Sequence, residues 1–183
     1  MKGEDGSSAN GRRQIYRGRV VTLNLETVTL PNGATIELEV IRHQGAAAAV
    51  PLTDDGNVLL TRQYRHAAGG YIYEIPAGKI DPGEEPLACA AREVEEEIGC
   101  RAASLVPMLS FYTTPGFTDE VIHLFLATGL TAGTQSLEHD EVLEVVELPL
   151  EQAIRYIADG TIRDAKTIVG LQAAYLARGL WQP

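Results

Sequence analysis

The chain has 183 residues, 45% of them hydrophobic, with a formal net charge of −10 and a pI near 4.8. That is apolar material for one well-cored domain with a small extension, and too acidic a balance for a nucleic-acid surface, which takes clustered Lys and Arg. No apolar run approaches bilayer-spanning length, and the opening stretch "MKGEDGSSANGRRQ" has no apolar h-region, so neither a membrane partner nor a secretory leader is expected.

In chain order, residues 1–13 read as a disordered tail. Residues 15–21 and 28–30 alternate like strands, "PNG" makes a turn, and residues 35–41 form a further strand. The runs "AAAAVPL" and "VLLTRQY" read as two strands joined in a hairpin at Asp55-Gly56. Residues 71–75 are a short strand, followed by a loop punctuated by Pro76, Gly78, Pro82 and Gly83. A helix over 85–98 is closed by Gly99. Residues 105–111 and 121–127 read as strands flanking "YTTPGFTD". Then come an acidic loop, "LEHDE", a strand, "VLEVVEL", and a helix opened by Pro149. The last helix spans 164–178, with Ile168, Leu171, Ala174, Tyr175 and Leu176 suited to a core. Strands mixed with helices indicate an α/β or α+β sandwich. Cys89 and Cys100 sit in or beside one helix without zinc-ligand spacing, so they are expected to be unbridged thiols, a usage that fits a reducing cytoplasm. His66, His123 and His139 also lack ligand spacing.

The helix over 85–98 carries Glu93, Glu95, Glu96 and Glu97. On a helical wheel Leu87, Ala91, Val94 and Ile98 form the core stripe. Glu93 and Glu97 lie one turn apart on another face with Glu96 beside them, and Arg92 is placed to brace Glu96 at i,i+4. Like charges at this spacing repel. A hard divalent cation would turn that repulsion into coordination. Two such glutamates alone are more often a solvated helix face.

The wider spacing decides between these. Gly78, five residues, Glu84, seven residues, and then Arg92-Glu93-Val94-Glu95-Glu96-Glu97-Ile98-Gly99-Cys100 resembles the Nudix box, G-x5-E-x7-R-E-U-x-E-E-x-G-U. Every literal position matches, a coincidence on the order of 10⁻⁸ per starting point at ordinary residue frequencies. Cys100 is a soft departure at the last apolar position, where a small hydrophobe is acceptable. The resemblance implies a Nudix fold, an α/β/α sandwich around a mixed β-sheet over residues 44–183. Residues 14–43 would be a small N-terminal antiparallel β extension that serves dimerisation. It also implies a Mg²⁺ site, with Mn²⁺ as an alternative, built from Glu93, Glu96, Glu97 and the backbone carbonyl of Ala77. Gly78, Glu84 and Arg92 would shape the loop and orient the carboxylates.

The flanks narrow the branch. Pro115, fifteen residues after Cys100 in "SFYTTPGFTDE", is similar to the proline that marks ADP-ribose pyrophosphatases and their nucleotide-sugar relatives. "YIYEIPAG", "DEVLEVVELPLEQA" and "GTIRDAKTIVGL" resemble the same branch, so the likeness runs from Gln14 to the C-terminus. Phe117 and Thr118 stand where dinucleoside-polyphosphate hydrolases carry a tyrosine, and "IPAG" replaces the F-P-G-G of coenzyme A hydrolases. The implied activity is hydrolysis of ADP-ribose to AMP and ribose 5-phosphate. GDP-mannose or another nucleotide sugar is the alternative substrate, and a non-catalytic Nudix-fold sensor, which usually loses box carboxylates, is the rival class. By the same resemblance Glu141 is the general base, with Glu138 as fallback and Glu120 and Glu96 behind it. Arg65 and Arg62 would contact phosphate. Glu74 would contact base or ribose, or else form a structural ion pair. Pro115 and Gly116 would line the nucleotide or terminal-ribose pocket. A cytoplasmic homodimer with sites shared between subunits completes the expectation.

Overall fold

The structure, a computed structural model, describes residues 8–178, with side chains over 11–177. It divides into two compact units, one made of residues up to 45 with 112–121, the other of 46–111 with the chain from 122 onward. No helix among the described residues is long and apolar enough to cross a membrane.

The first unit is an antiparallel three-stranded sheet, β1 (Ser8–Arg17), β2 (Thr22–Thr29) and β3 (Thr35–Ile41), in that order. Residues 1–7 of the expected tail lie outside the described residues. Residues 8–13 are strand instead of tail, because their backbone pairs with β2, Arg13 opposite Leu25 and Arg12 opposite Glu26. This pairing left no apolar alternation to read in "SANGRR". The "PNG" turn behaves as expected: Gly33 has φ +85° and its N–H donates to the Leu30 carbonyl at 2.9 Å.

Among the described residues the second unit holds two sheets and three α-helices. A mixed sheet has the order β7 (Ala77–Lys79), β4 (Ala46–Pro51), β9 (Val121–Ala132), β8 (Cys100–Tyr112), with β4 parallel to β9 and antiparallel to β7. An antiparallel sheet has the order β10 (Leu143–Pro149), β5 (Asn57–Arg65), β6 (Gly70–Glu74). The helices are α1 (Pro86–Ile98), α2 (Leu150–Ala158) and α3 (Ala165–Arg178). The Asp55-Gly56 turn forms, with Gly56 at φ +81° and its N–H on the Thr53 carbonyl. The expected hairpin does not: beyond a bridge from Leu52 to Val58, β4 and β5 part into different sheets.

The strand β4 explains the layering. Alternating residues face opposite sides, so Ala48 and Val50 join one buried cluster with Leu60, Ile75, Leu124 and Leu171. Ala47 and Ala49 join another with Cys89, Ala90, Val94 and Phe125. Alanines on the second side leave room for α1 to lie close. This corrects the expected core stripe of α1. Leu87 and Ala91 are exposed, and the buried face is Cys89, Ala90, Glu93, Val94, Glu97 and Ile98. The helix is rotated so that its small residues, not Leu87, meet the alanine strand. In α3, Leu171 and Ala174 are buried as expected, whereas Tyr175 and Leu176 face solvent.

Candidate active site

The strand–turn–helix over 77–99 is built as follows. The turn over 81–84 closes when Glu84 N–H donates to the Asp81 carbonyl at 2.9 Å and Asp81 N–H donates back to Glu84 Oε2 at 2.9 Å. Pro86 then opens α1, where its missing N–H costs nothing. Gly99 ends the helix in the left-handed region at φ +64°, its N–H on the Glu95 carbonyl. The chain after β9 satisfies the next carbonyls: Ser136 N–H donates to Glu96 O at 2.9 Å and Gln135 Nε2 to Glu97 O at 2.7 Å. The stretch "GTQS" gave no sequence signal of this, since both bonds span about forty residues and use loop geometry.

Within this frame Arg92 is the hub. Its Nε donates to Glu84 Oε1 at 3.0 Å, and one terminal nitrogen reaches Glu93 Oε1 at 2.7 Å and Glu96 Oε2 at 2.9 Å. The guanidinium fork thereby sets three carboxylates at once. It holds the Glu84 carboxyl down at about 2, with help from the Asp81 N–H. Glu93 and Glu97 are 8% and 3% exposed. Burial pushes Glu93 upward, against the pull of Arg92. Glu97, with no oppositely charged side chain in contact among the described residues, is pushed up to about 8 by burial first, then by the fields of Glu93 and Glu141. Gly78 is where the strand passes closest to these acids. A Cβ on it would stand 1.7 Å from Glu93 Oε1, so any larger residue requires the Glu93 carboxylate to leave its place.

Two buried carboxyl groups one turn apart, both pushed upward by burial, suit a hard cation that would displace the proton and stabilise the charge. Among the described residues no three His, Cys, Asp or Glu side chains close on a single point. A cation here would therefore complete its shell with backbone oxygen, water or substrate phosphate, as Mg²⁺ commonly does.

The other expected residues fall as follows. Glu141 lies within electrostatic reach of Glu93 and Glu97, raising both. Its Oε2 accepts the Glu138 N–H at 2.8 Å, and its own N–H donates to the Glu138 carbonyl at 3.0 Å. Glu138 itself is exposed. Arg65 makes a two-pronged contact with Glu74, Nε to Oε1 at 2.7 Å and a terminal nitrogen to Oε2 at 3.0 Å. Glu74 is 2% exposed, and Lys166 Nζ also contacts it. Of the two roles left open for Glu74, the geometry is that of an ion pair. Arg62 pairs with Glu144 at 2.8 Å and lies over the Tyr71 ring at 4.5 Å. Pro115 and Gly116 belong to the first unit. There the loop is tied to β3 by Ile41 N–H on the Phe117 carbonyl at 2.8 Å. Asp119 accepts His43 N–H at 2.8 Å and Arg42 at 2.9 Å. A Cβ on Gly116 would meet nothing within 4 Å. Glu120 accepts the Thr113 hydroxyl at 2.8 Å in the same loop. Cys89 and Cys100 are free thiols, Cys89 pushed up to about 12 by burial.

Sequence reasoning missed Asp164, Lys166 and Thr167 at the start of α3, and Gln63, whose buried Oε1 has no hydrogen-bond partner among the described residues. The segment "DAKT" stood in the sequence only as part of a family likeness.

Comparison with known proteins bears on the family and the fold. The NUDIX domain family matches residues 42–169. An ADP-ribose pyrophosphatase from Bacillus subtilis (strain 168) is 41% identical over 92% of both chains. A methanol dehydrogenase activator from Bacillus methanolicus is 41% identical over 91% of both. A GDP-mannose pyrophosphatase from Cronobacter sakazakii is 35% identical over 78% of this chain and 82% of its own. A solved structure described as an ADP compounds hydrolase superposes with a TM-score of 0.83 at 22% identity, covering 97% of each chain. With its seven literal box positions folded as strand, turn and acidic helix, the chain belongs to the NUDIX family.

Proposed function

We propose that this chain is a Mg²⁺-dependent hydrolase of nucleoside diphosphate sugars that cleaves ADP-ribose to AMP and ribose 5-phosphate. The observation that carries the reading is the pair Glu93 and Glu97, buried and one turn apart, with the Glu93 carboxylate packed under Gly78. Their resemblance to the Nudix box and the 41% identity to an ADP-ribose pyrophosphatase support it. Retention of every box carboxylate speaks against a sensor. A GDP-mannose substrate is the second reading, favoured by the 35% identity to pyrophosphatases of that name.

In this reading Glu93, Glu96, Glu97 and the Ala77 carbonyl would hold divalent cations, the carboxylates shared among ions and not converging on one point. Bound there, they would neutralise phosphate oxygens and acidify a bound water. Arg92 keeps Glu93 and Glu96 in place. Arg65, steadied by Glu74, would contact the diphosphate, and Arg62 on the same strand is the weaker candidate for that contact. Glu141 takes the proton of the attacking water as general base. The water oxygen joins one phosphorus, the bond from that phosphorus to the bridging oxygen breaks, and that oxygen leaves on the other phosphate. Pro115 and Gly116 line the nucleotide or terminal-ribose pocket.

The active form is a homodimer in which the β1–β3 extension reaches the partner. Exposed Ile15, Tyr16, Ile36 and Leu38 on that sheet support this. Cytoplasmic residence is part of the same reading, supported by the free thiols. The test is turnover on ADP-ribose, GDP-mannose and UDP-glucose side by side with Mg²⁺. ADP-ribose should lead, with AMP as product. A GDP-mannose preference would install the second reading, and no turnover on any would refute both.

A further inference from the structure

The segment Asp164-Ala165-Lys166-Thr167 has no part in the chemistry above, yet it grips the chain just ahead of the box. Thr167 is fully buried. Its Oγ1 accepts the Ile75 N–H at 2.9 Å, and its hydroxyl donates to Asp164 Oδ2 at 2.6 Å. Asp164 Oδ2 also accepts the Thr167 N–H at 3.0 Å, so the hydroxyl proton is committed and the Oγ1 lone pair is left aimed at Ile75. Ile75 and Pro76 are the whole link between β6 and β7. Proline has no N–H to give, and the Pro76 carbonyl accepts Ala49 N–H at 3.1 Å. The link is therefore held from one side by α3 and from the other by β4. Ala77 follows immediately. On the other flank Glu74 is held by Lys166 and Arg65, and its carbonyl accepts the Thr61 hydroxyl at 3.3 Å.

We propose that Thr167 is a positioning residue for the cation site: through Ile75 it sets the path of the link and hence the aim of the Ala77 carbonyl. The inference rests on the reading of Ala77 as a ligand. A hard cation of this kind takes ligands at about 2.0–2.1 Å in near-octahedral order, so a small turn of one peptide plane weakens binding without unfolding anything. Removal of the hydroxyl leaves a buried N–H unpaired, and such a donor shifts to find another acceptor. The residue acts through two others and touches neither substrate nor cation.

The experiment is Mn²⁺ titration of chelator-treated full-length protein, following free Mn²⁺ by electron paramagnetic resonance, at a temperature where melts show each variant folded. Thr167→Val, Thr167→Ala and Thr167→Ser all conserve charge, so changed affinity reports geometry and not field. Thr167→Val and Thr167→Ala should bind roughly 10-fold more weakly, at the low end of what outer-shell partners contribute. Thr167→Ser, which keeps the hydroxyl, should bind like the parent. If Thr167→Val does not fold, Thr167→Ala decides on the same criterion. Folded hydroxyl-free variants that bind Mn²⁺ like the parent, while Glu97→Gln loses it, overturn the positioning role alone. If Glu97→Gln also binds like the parent, the cation-site reading is wrong and the positioning role goes with it.

Discussion

Replacing Glu97 with Gln should stabilise the cation-free protein at alkaline pH and weaken its response to Mg²⁺. Burial and the fields of Glu93 and Glu141 push the Glu97 carboxyl from the ordinary 4.5 to about 8. The sign follows directly. Between these two values the unfolded chain has released a proton that the folded chain keeps, so stability falls as pH rises from about 4.5 to 8 and levels above that. At about 1.4 kcal/mol per pH unit, the rise caps the cost of the buried charge at about 5 kcal/mol. Burying the replacement amide takes back about 1–3 kcal/mol. A net gain of about 2 kcal/mol at pH 9 is expected, or roughly 4–8 °C in Tm for a chain of this size. Circular-dichroism melts in chelator at pH 5 and pH 9 measure it. At pH 5 the variant should be no more stable than the parent, because the parent already carries the proton. Excess Mg²⁺ should raise the parent's Tm by mass action and the variant's much less. A variant that gains nothing at pH 9 would refute the argument from burial, and one that responds fully to Mg²⁺ would remove Glu97 from the cation site.

The box was legible because its chemistry is local: Gly78 to Gly99 is a single strand, turn and helix whose spacing survives without tertiary knowledge. The reason for its glycine was not, since the collision between a Cβ at 78 and Glu93 Oε1 depends on how closely β7 lies on α1. The β4–β5 hairpin failed for a related reason. The run "AAAAVPL" is continuously apolar and "VLLTRQY" opens with three apolar residues, which marks burial but not which neighbour each strand takes. Leu87 misled because hydrophobicity outweighed size, when β4 offers alanines and so favours the small residues Cys89 and Ala90. Glu74 could be read two ways until Arg65 and Lys166 were seen to close on it from β5 and α3. Thr167 was invisible, because its partner Ile75 is 92 residues away and a threonine in a helix start usually serves only its own helix.

Charge on the N-terminal sheet should separate the dimer: Ile36→Lys with Leu38→Lys should sediment as a monomer and raise KM for ADP-ribose, and a variant that stays dimeric would exclude that face. Glu141→Gln should lower kcat by about 10²–10⁴ with Mn²⁺ affinity unchanged, whereas Glu138→Gln should cost much less; the reverse order would mean that the loop register is wrong. Gly78→Ala puts the clearest geometric demand on the site. The added methyl cannot stand 1.7 Å from Glu93 Oε1, and both oxygens and the carboxyl carbon of that side chain lie within 2.8 Å of it. The strand is pinned through Ala77 and Lys79 to Ala48 and Ala46, so the carboxylate must be what moves. Its exit breaks the 2.7 Å contact with Arg92 and takes one of the two buried acids out of the cation site. Backbone at 78 is not in the left-handed region that only glycine enters freely, so the loss is steric and confined to the carboxylate. The expected result is a folded protein with a modestly lowered Tm, Mn²⁺ affinity reduced at least 10-fold, and turnover lost in parallel. Parent-like Mn²⁺ binding in Gly78→Ala would show that Glu93 is not held where the cation needs it.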